Sequence, residues 1–373
     1  MSQVFIRQAE LSYSSIRERL FEMLGRIDNG TIGKGSRVLI KPNLLTAARP
    51  EQAITTHPLI VKAAAEYLLA RGARVRIGDS PALGSFDKIV TQCGYRQALG
   101  DLDIEIKPFT RTQRVNIGEP FGFIDIAKTP MEADVVLNLA KLKTHSQMLL
   151  SLGVKNMFGC VVGLQKPEWH FRTGVDRDLF ARLLVQIYER IAPLFTLVDG
   201  ILALEGQGPG KGGIPRELNL LVGGDNAHAV DKTLCIALGT NPDQLATCRS
   251  AEQLGLFDQA VYVNGNLAIR DDFRFPEMVP LSLGPKGLSR FMRRYAIQKP
   301  VADNQLCKLC GECWKYCPAK VISHNIKGIT IDYAECIRCY CCIEVCPHGA
   351  IAAREPLLGK VWRWFADRRR VDD

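Results

Sequence analysis

Cys307-Lys-Leu-Cys310-Gly-Glu-Cys313-Trp-Lys-Tyr-Cys317-Pro318 is answered further along the chain by Cys336-Ile-Arg-Cys339-Tyr-Cys341-Cys342-Ile-Glu-Val-Cys346-Pro347. Both stretches obey one spacing, C-x2-C-x2-C-x3-C-P. The residues that follow, Cys317-Pro-Ala-Lys-Val-Ile322 and Cys346-Pro-His-Gly-Ala-Ile351, correspond position for position. Such a repeat predicts two half-domains related by a local two-fold axis. A disulfide framework fits poorly, because the opening Met-Ser-Gln-Val-Phe-Ile lacks the basic-then-apolar pattern of a secretory signal and so points to a reducing compartment. Zinc fits poorly as well, since it takes two C-x2-C pairs set apart by a longer stretch.

The stretch resembles the two-[4Fe-4S] ferredoxin module of bacteria, in which three thiolates of a loop hold three corners of a cubane and the fourth ligates the other cluster. The resemblance implies two [4Fe-4S] clusters and electron transfer. The first cluster would take Cys307, Cys310, Cys313 and Cys346, the second Cys336, Cys339, Cys342 and Cys317. Cys341 lies outside the pattern and reads as a bystander packed near the second cluster.

The module occupies about the last fifth of a chain of 373 residues, which leaves room for a second, larger core. Residues 1–285 read as an α/β domain, 286–300 as a basic linker, 301–353 as a small α+β ferredoxin-like iron-sulfur domain, and 354–373 as a basic amphipathic tail. Hydrophobic content of 47% and charged content of 23% are those of a globular protein. No apolar run approaches the ~18 residues of a membrane span. The expectation is a cytoplasmic protein without membrane association, in which Trp362 and Trp364 of the tail pack on the protein itself. The formal charge of +9 omits the clusters. Two [4Fe-4S]2+ cores with their thiolates bring it to about +5. No nucleic-acid fold motif is legible, so no nucleic-acid partner is expected. The basic run from Lys286 to Lys299 reads as a solvated linker helix, with docking of an acidic redox partner protein as its functional alternative.

Strand and helix patterns alternate through the larger domain. Short apolar runs at 4–6, 37–40, 75–78, 133–139, 195–199 and 218–222 read as strands, and periodic segments at 14–27, 57–69, 152–158, 176–191 and 227–238 as helices. Residues 101–130 are less regular. The rhythm predicts a mostly parallel sheet with flanking helices.

Ligands of open α/β sheets bind outside the carboxyl ends of the strands. Those ends offer Lys41 and Asn43, Asp79 and Ser80, Lys141, Lys143 and His145, Asp199, and Asp225. Asp79, Ser80 and Asp225 equally suit helix caps. The lysines, with Lys155 and Asn156, lie in otherwise apolar surroundings where a cation needs a partner, and an anionic ligand would supply one. A mononuclear metal on His57, His145, His170 and Cys160 is a lesser alternative. Gly206-Gln-Gly-Pro-Gly210-Lys211-Gly212 has neither the spacing nor the hydroxyl of a P-loop, and reads as a turn whose amides are free to line a pocket.

Lys41-Pro42-Asn43, the block 134–145 with Gly153-Val-Lys155-Asn156-Met-Phe158-Gly159, Val198-Asp199-Gly200 through Glu205-Gly-Gln-Gly208-Pro209, and Asp225 with Ala229-Val230-Asp231 resemble the family called domain of unknown function 362. The resemblance covers roughly residues 35–240. Members often carry a ferredoxin module at one end. It implies an architecture and no substrate, and Glu205 joins the ligand-binding candidates with Lys41, Asn43, Asp79, Lys141, Lys155, Asn156 and Asp225. The reading is an iron-sulfur redox protein whose clusters relay electrons to or from a small anionic substrate or cofactor, with Lys143 and His145 for charge stabilisation and proton transfer. An oxidoreductase using ferredoxin-type clusters is one form of it. The rival is a non-catalytic electron carrier or assembly factor whose α/β domain docks a partner protein. A concave site on which the strand-end lysines and histidines converge favours the first; side chains that diverge into solvent favour the second.

Overall fold

In the computed structural model the described residues are 1–81, 84–256, 261–278 and 297–356. The strands are β1 Ser2–Gln8, β2 Arg37–Pro42, β3 Arg74–Ile77, β4 Glu105–Ile106, β5 Thr112–Gly118, β6 Gly122–Ala127, β7 Val135–His145, β8 Leu149–Ser151, β9 Phe195–Gly206, β10 Gly213–Gly224, β11 Val261–Asn264, β12 Lys299–Ala302, β13 Ile322–Asn325, β14 Gly328–Ile331 and β15 Ile351–Arg354. Among the described residues the main sheet has nine of them, in the order β11-β1-β10-β9-β7-β2-β3-β4 with β8 paired to β7. β4, β3, β2, β7 and β9 run parallel, and β1 points the same way because two antiparallel pairings, through β10, separate it from β9. The α/β class with a mostly parallel sheet is therefore as the sequence pattern requires.

β7 sits at the centre because its run Val-Val-Leu-Asn-Leu-Ala suits burial on both faces, and all eleven of its residues are buried. Leu137 and Leu139 enter the core beneath the helices Tyr13–Asp28 and Pro58–Leu69, while Val136 enters the opposite one with Phe180, Leu184 and Ile187 of the helix Arg177–Ile191. That is the two-residue alternation of a strand. Helix starts follow local chemistry. Ser12 accepts from the Ser15 amide, Pro58 opens its helix, and the Asp176 carboxylate accepts from the amides of Asp178 and Leu179.

Four departures from the sequence pattern matter for function. Residues 141–145 belong to β7 itself, so Lys141, Lys143 and His145 extend a buried strand. The helix expected at 152–158 is one turn, Gly153–Asn156, followed by the 3-10 turn Met157–Cys160. A helix at Gln165–Thr173 and the hairpin β5–β6 occupy stretches without a strong period. β10 is antiparallel to β9, so its carboxyl end, and Asp225 with it, lies beside Thr196 at the opposite edge of the sheet from the other strand ends.

In the cysteine module β12 pairs with β15 and β13 with β14. The two cysteine loops repeat each other in backbone: Leu309 and Arg338, Gly311 and Tyr340, Lys320 and Gly349 all have left-handed φ, and the turns Glu312–Lys315 and Cys341–Glu344 follow. For Tyr340 that conformation costs ~1–2 kcal/mol, offset by burial and by its hydroxyl, which donates to Gln298 O at 3.1 Å. The basic linker up to residue 296 and the tail beyond residue 356 lie outside the described residues.

Candidate functional site

β2 and β7 carry their lysines into a cavity beneath the cysteine module. Lys41, Lys141 and Lys143 are at most 2% exposed. Lys141 lies directly across from Asp199 on β9 and pairs with it at 2.7 Å, while Asp199 also accepts from the His57 amide. Lys41 pairs with Asp79 at 2.9 Å and donates to Pro42 O at 2.8 Å. These two cations are thus matched by buried carboxylates, as buried charges require. Lys143 makes no ion pair with a carboxylate among the described residues; its ammonium donates to Asn43 Oδ1 at 2.7 Å and Ile54 O at 2.8 Å. Burial first, and the neighbouring Lys155 ammonium second, bring it down to about 7. Lys166, which sequence reasoning passed over, donates to Ser80 O at 2.6 Å and is brought down to about 8, chiefly by burial. Lys155 makes no hydrogen bond or ion pair among the described residues, and burial lowers it too.

Asn43 and Asn156 tie these groups together. Asn43 Nδ2 donates to Asn156 Oδ1 at 2.9 Å, and Asn156 Nδ2 donates to Asn138 Oδ1 at 2.8 Å. The turn that bears Lys155 and Asn156 is fixed by buried Asp231, whose carboxylate accepts from the amides of Gly153 and Val154 at 2.8 and 3.1 Å. Gly159 leaves room for the Lys41–Asp79 pair: a Cβ there would lie 2.5 Å from Lys41 Nζ and nearer still to Asp79 Oδ1. Gly159→Ala is therefore expected to cost roughly 2–5 kcal/mol, to be read as a lower denaturation midpoint with iron content retained.

The cysteine module closes the cavity. Lys41, Asn43, Asp79, Lys155, Asn156, Lys166 and His170 face Tyr316, Cys341, Glu344 and Val345 around a cavity of about 90 Å³. A smaller lobe, bounded by Lys141, Lys143, His145 and Ser151, shares Asn43, Lys155, Asn156 and Glu344 with it. Glu344 is the module's own contribution, and its Oε1 stands 2.8 Å from His145 Nε2. His145 Nδ1 accepts from the amides of Gln147 and Met148, so in the neutral ring the proton sits on Nε2 and faces Glu344. Burial and Lys155 drive His145 down to about 4. Burial pushes the Glu344 carboxyl up, but the His145 ring and the Lys155 ammonium outweigh it and hold it below the usual carboxylate range. His170, against Phe158 and Phe180, is driven by burial to about 3 and is a neutral ring in an apolar wall.

The glycine-rich loop seats the module. Gly208 approaches β7 so closely that a Cβ there would meet Thr144, its carbonyl accepts from Ser146 Oγ at 2.9 Å, and Gly210 lies against the Ile343 and Glu344 carbonyls. Of the sequence candidates, Lys41, Asn43, Asp79, Lys141, Lys143, His145, Lys155 and Asn156 come together here. Two do not. Glu205 pairs with Arg216 at 3.0 Å, and Asp225 accepts from the Gln3 amide at the far edge of the sheet. Lys166 and Glu344 are the additions. Glu344 had one signal, an acidic side chain between Cys342 and Cys346, yet nothing local showed that it would cross to another domain.

Cys307, Cys310, Cys313 and Cys346 line one small cavity of the module, and Cys317, Cys336, Cys339 and Cys342 line a second. Among the described residues no group of three or more Cys, His, Asp or Glu side chains is placed to hold a metal ion. The same holds for the mononuclear alternative at His57, His145, His170 and Cys160. No helix among the described residues is long and apolar enough to cross a membrane.

The comparisons with known proteins agree with this division. A family model described as domain of unknown function (DUF362) matches residues 38–236, and one described as a 4Fe-4S dicluster domain matches 299–347. The thylakoid-associated protein sll1697 of Synechocystis sp. is 37% identical over 286 residues, 75% of this chain and 88% of that protein. The pyruvate synthase subunit PorD of Methanocaldococcus jannaschii is 37% identical over 54 residues, 14% of this chain and 63% of that subunit. Among solved structures, the lactate racemase apoprotein from Thermoanaerobacterium thermosaccharolyticum aligns over 90% of this chain and 79% of that one with a TM-score of 0.42 and 15% identity, too distant to bear on chemistry. With more than half of its residues matched by the first model and nearly all of a 37% identical relative spanned, the chain belongs to the family described as domain of unknown function (DUF362), joined to a 4Fe-4S dicluster domain that gives it an iron-sulfur electron-transfer role.

Proposed function

We propose that the chain is a redox protein in which two [4Fe-4S] clusters exchange single electrons with a small anionic substrate or cofactor held between the α/β domain and the cysteine module. The observation that carries the reading is the shared cavity. Lys143, Lys155 and Lys166 line it without an ion pair to any carboxylate among the described residues, Glu344 and the Lys41-paired Asp79 being the acidic groups nearby, and Cys341 and Glu344 flank Cys342, which would be a ligand of the second cluster. A buried excess of cations is costly unless an anion joins it. The two four-thiol cavities support the ligand sets Cys307, Cys310, Cys313, Cys346 and Cys317, Cys336, Cys339, Cys342.

The clusters supply single electrons; the chain supplies binding and protons. Lys155 is free to pair with the anion. Asn43 and Asn156 offer amide contacts that the surrounding network holds rigid. Lys143, brought down to about 7, holds or yields a proton near neutral pH, and His145 presents Nε2–H as a neutral donor. An external redox partner protein completes the circuit, in a reducing compartment. Because the cyanobacterial relative is by name thylakoid-associated, cell fractionation decides whether this chain is cytoplasmic.

Anaerobic isolation tests the reading twice. The protein should hold about eight iron and eight sulfide, and mass spectrometry of the native preparation should release a small anion in near-stoichiometric amount. Zinc persisting at the cysteines after reconstitution with iron and sulfide sinks the cluster assignment. Full iron with no anion bound by the cavity favours the carrier or assembly-factor reading instead.

A further inference from the structure

The two cysteine sets differ in their access to solvent. Cys317, Cys336, Cys339 and Cys342 are all buried, and the neighbours Tyr316, Cys341 and Glu344 belong to the lysine cavity. Among the first set Cys310 is exposed, and Cys307 and Cys346 are partly so. A relay with one end buried at a ligand cavity and the other at the surface has a direction built into it. Whatever protein exchanges electrons with the chain meets the first cluster.

The surface around Cys310 also has a chemical character. Between residues 304 and 330 the only acidic residue is Glu312, whereas Lys308, Lys315, Lys320 and Lys327 are all exposed. Lys308 lies inside the first cysteine loop. Lys315 reaches back over Gly311, next to Cys310, where its Cε would lie 3.3 Å from a Cβ. Lys320 donates to the carbonyl of Lys315 at 3.2 Å, which brings a third ammonium to the same side. Leu306 and Leu309, 52% and 38% exposed, are large apolar side chains left in water beside these cations. Lysines outnumber the two nearby acidic residues, Asp303 and Glu312, around this apolar centre, and an apolar centre with an excess of one charge at its rim is the anatomy of a transient redox contact, where charge steers the encounter and a small dry patch sets the electron path.

We propose that the face formed by Cys310, Leu306, Leu309, Lys308, Lys315 and Lys320 docks an acidic one-electron carrier protein. Each encounter would move one electron: the reduced carrier loses it, the cluster that Cys307, Cys310, Cys313 and Cys346 would hold supplies one-electron uptake, and the electron would leave by way of the second cysteine set to an oxidised anion bound in the cavity, which gains it. Run in the other direction, the same face discharges electrons to an oxidised carrier. This rests on the two-cluster relay reading above.

The test uses the holoprotein and a reduced flavodoxin, an acidic single-electron protein, as the probe. In stopped flow, its second-order rate of cluster reduction should fall at least ten-fold as salt rises from about 0.02 to 0.5 M, because screening removes the steering. Charge reversal of Lys308, Lys315 and Lys320 to Glu should slow the same rate ten- to hundred-fold at low salt. Photoreduction by a neutral deazaflavin should change by less than two-fold. The milder Lys→Gln set should give an intermediate rate, so the comparison survives if the reversed protein loses iron. A wild-type rate indifferent to salt, or Lys→Gln protein reduced as fast as wild type, overturns the docking face. An iron content short of two clusters would instead overturn the relay reading beneath it.

Discussion

Cys342→Ala is expected to remove the proposed second cluster and about half of the iron, while Cys341→Ala, one residue away, is expected to leave the iron content unchanged. The difference follows from where the two thiols lie. Cys342 shares a small cavity with Cys317, Cys336 and Cys339, whereas Cys341 lines the lysine cavity with Lys155 and Glu344. The crossed ligand sets sharpen the expectation. Cys317→Ala, although it sits in the first repeat, should also damage the second cluster, and Cys346→Ala the first. The α/β domain keeps its own cores, built from residues of its sheet and helices, so its fold should persist in every variant. Iron analysis and low-temperature paramagnetic resonance on anaerobic preparations read the result. Equal iron loss from Cys341→Ala and Cys342→Ala shows that the register of ligands is misassigned.

The cysteine module was legible because its chemistry is local. Short loops with fixed gaps leave little freedom in where thiols go, and the repeat announced the paired loops at Gly311 and Tyr340. The sheet was legible for a related reason: Val38 to Ile40, Val135 to Leu139 and Phe195 to Val198 are short runs, apolar but for Asn138 and Thr196, with the β-branched character of strands buried on both faces. What escaped is non-local. The direction of β10 is not written in its residues; it depends on the hairpin that joins it to β9. Asp225 therefore looked like one more strand end and lies at the wrong edge of the sheet. The helix Gln165–Thr173 escaped because Lys166, Pro167 and Glu168 dilute its period, and Lys166 was lost with it.

The cavity was half legible. That Lys141 and Lys143 share one side of a strand follows from the two-residue period, and both border the same lobe. That Lys141 is answered by Asp199 and Lys143 by amide and carbonyl oxygens depends on which strands lie alongside β7. The sequence pattern could count lysines; only the fold shows which of them lack a carboxylate.

Lys155→Ala is expected to weaken binding of small anions ten- to hundred-fold without altering the clusters. Its ammonium makes no hydrogen bond or ion pair among the described residues, with Glu344 acting on it only through space, so a bound anion gains a charge-assisted contact worth about 1.5–3 kcal/mol that alanine removes. Lys143→Ala should act differently. That ammonium already donates to Asn43 and Ile54, and its main effect should be on pH dependence. Burial and Lys155 bring Lys143 down to about 7, and burial brings Lys166 to about 8. A bound anion favours the charged form of each lysine. Binding therefore takes up protons wherever they are neutral, and affinity falls as pH rises from 6 to 9. In Lys143→Ala the fall near pH 7 should disappear while the fall near pH 8 stays. Calorimetry with phosphate and a panel of small carboxylates, repeated at several pH values and paired with the visible and paramagnetic signals of the clusters, separates the two roles. Intact clusters with undiminished anion affinity in Lys155→Ala would take the cavity out of the function and leave a protein that only carries electrons.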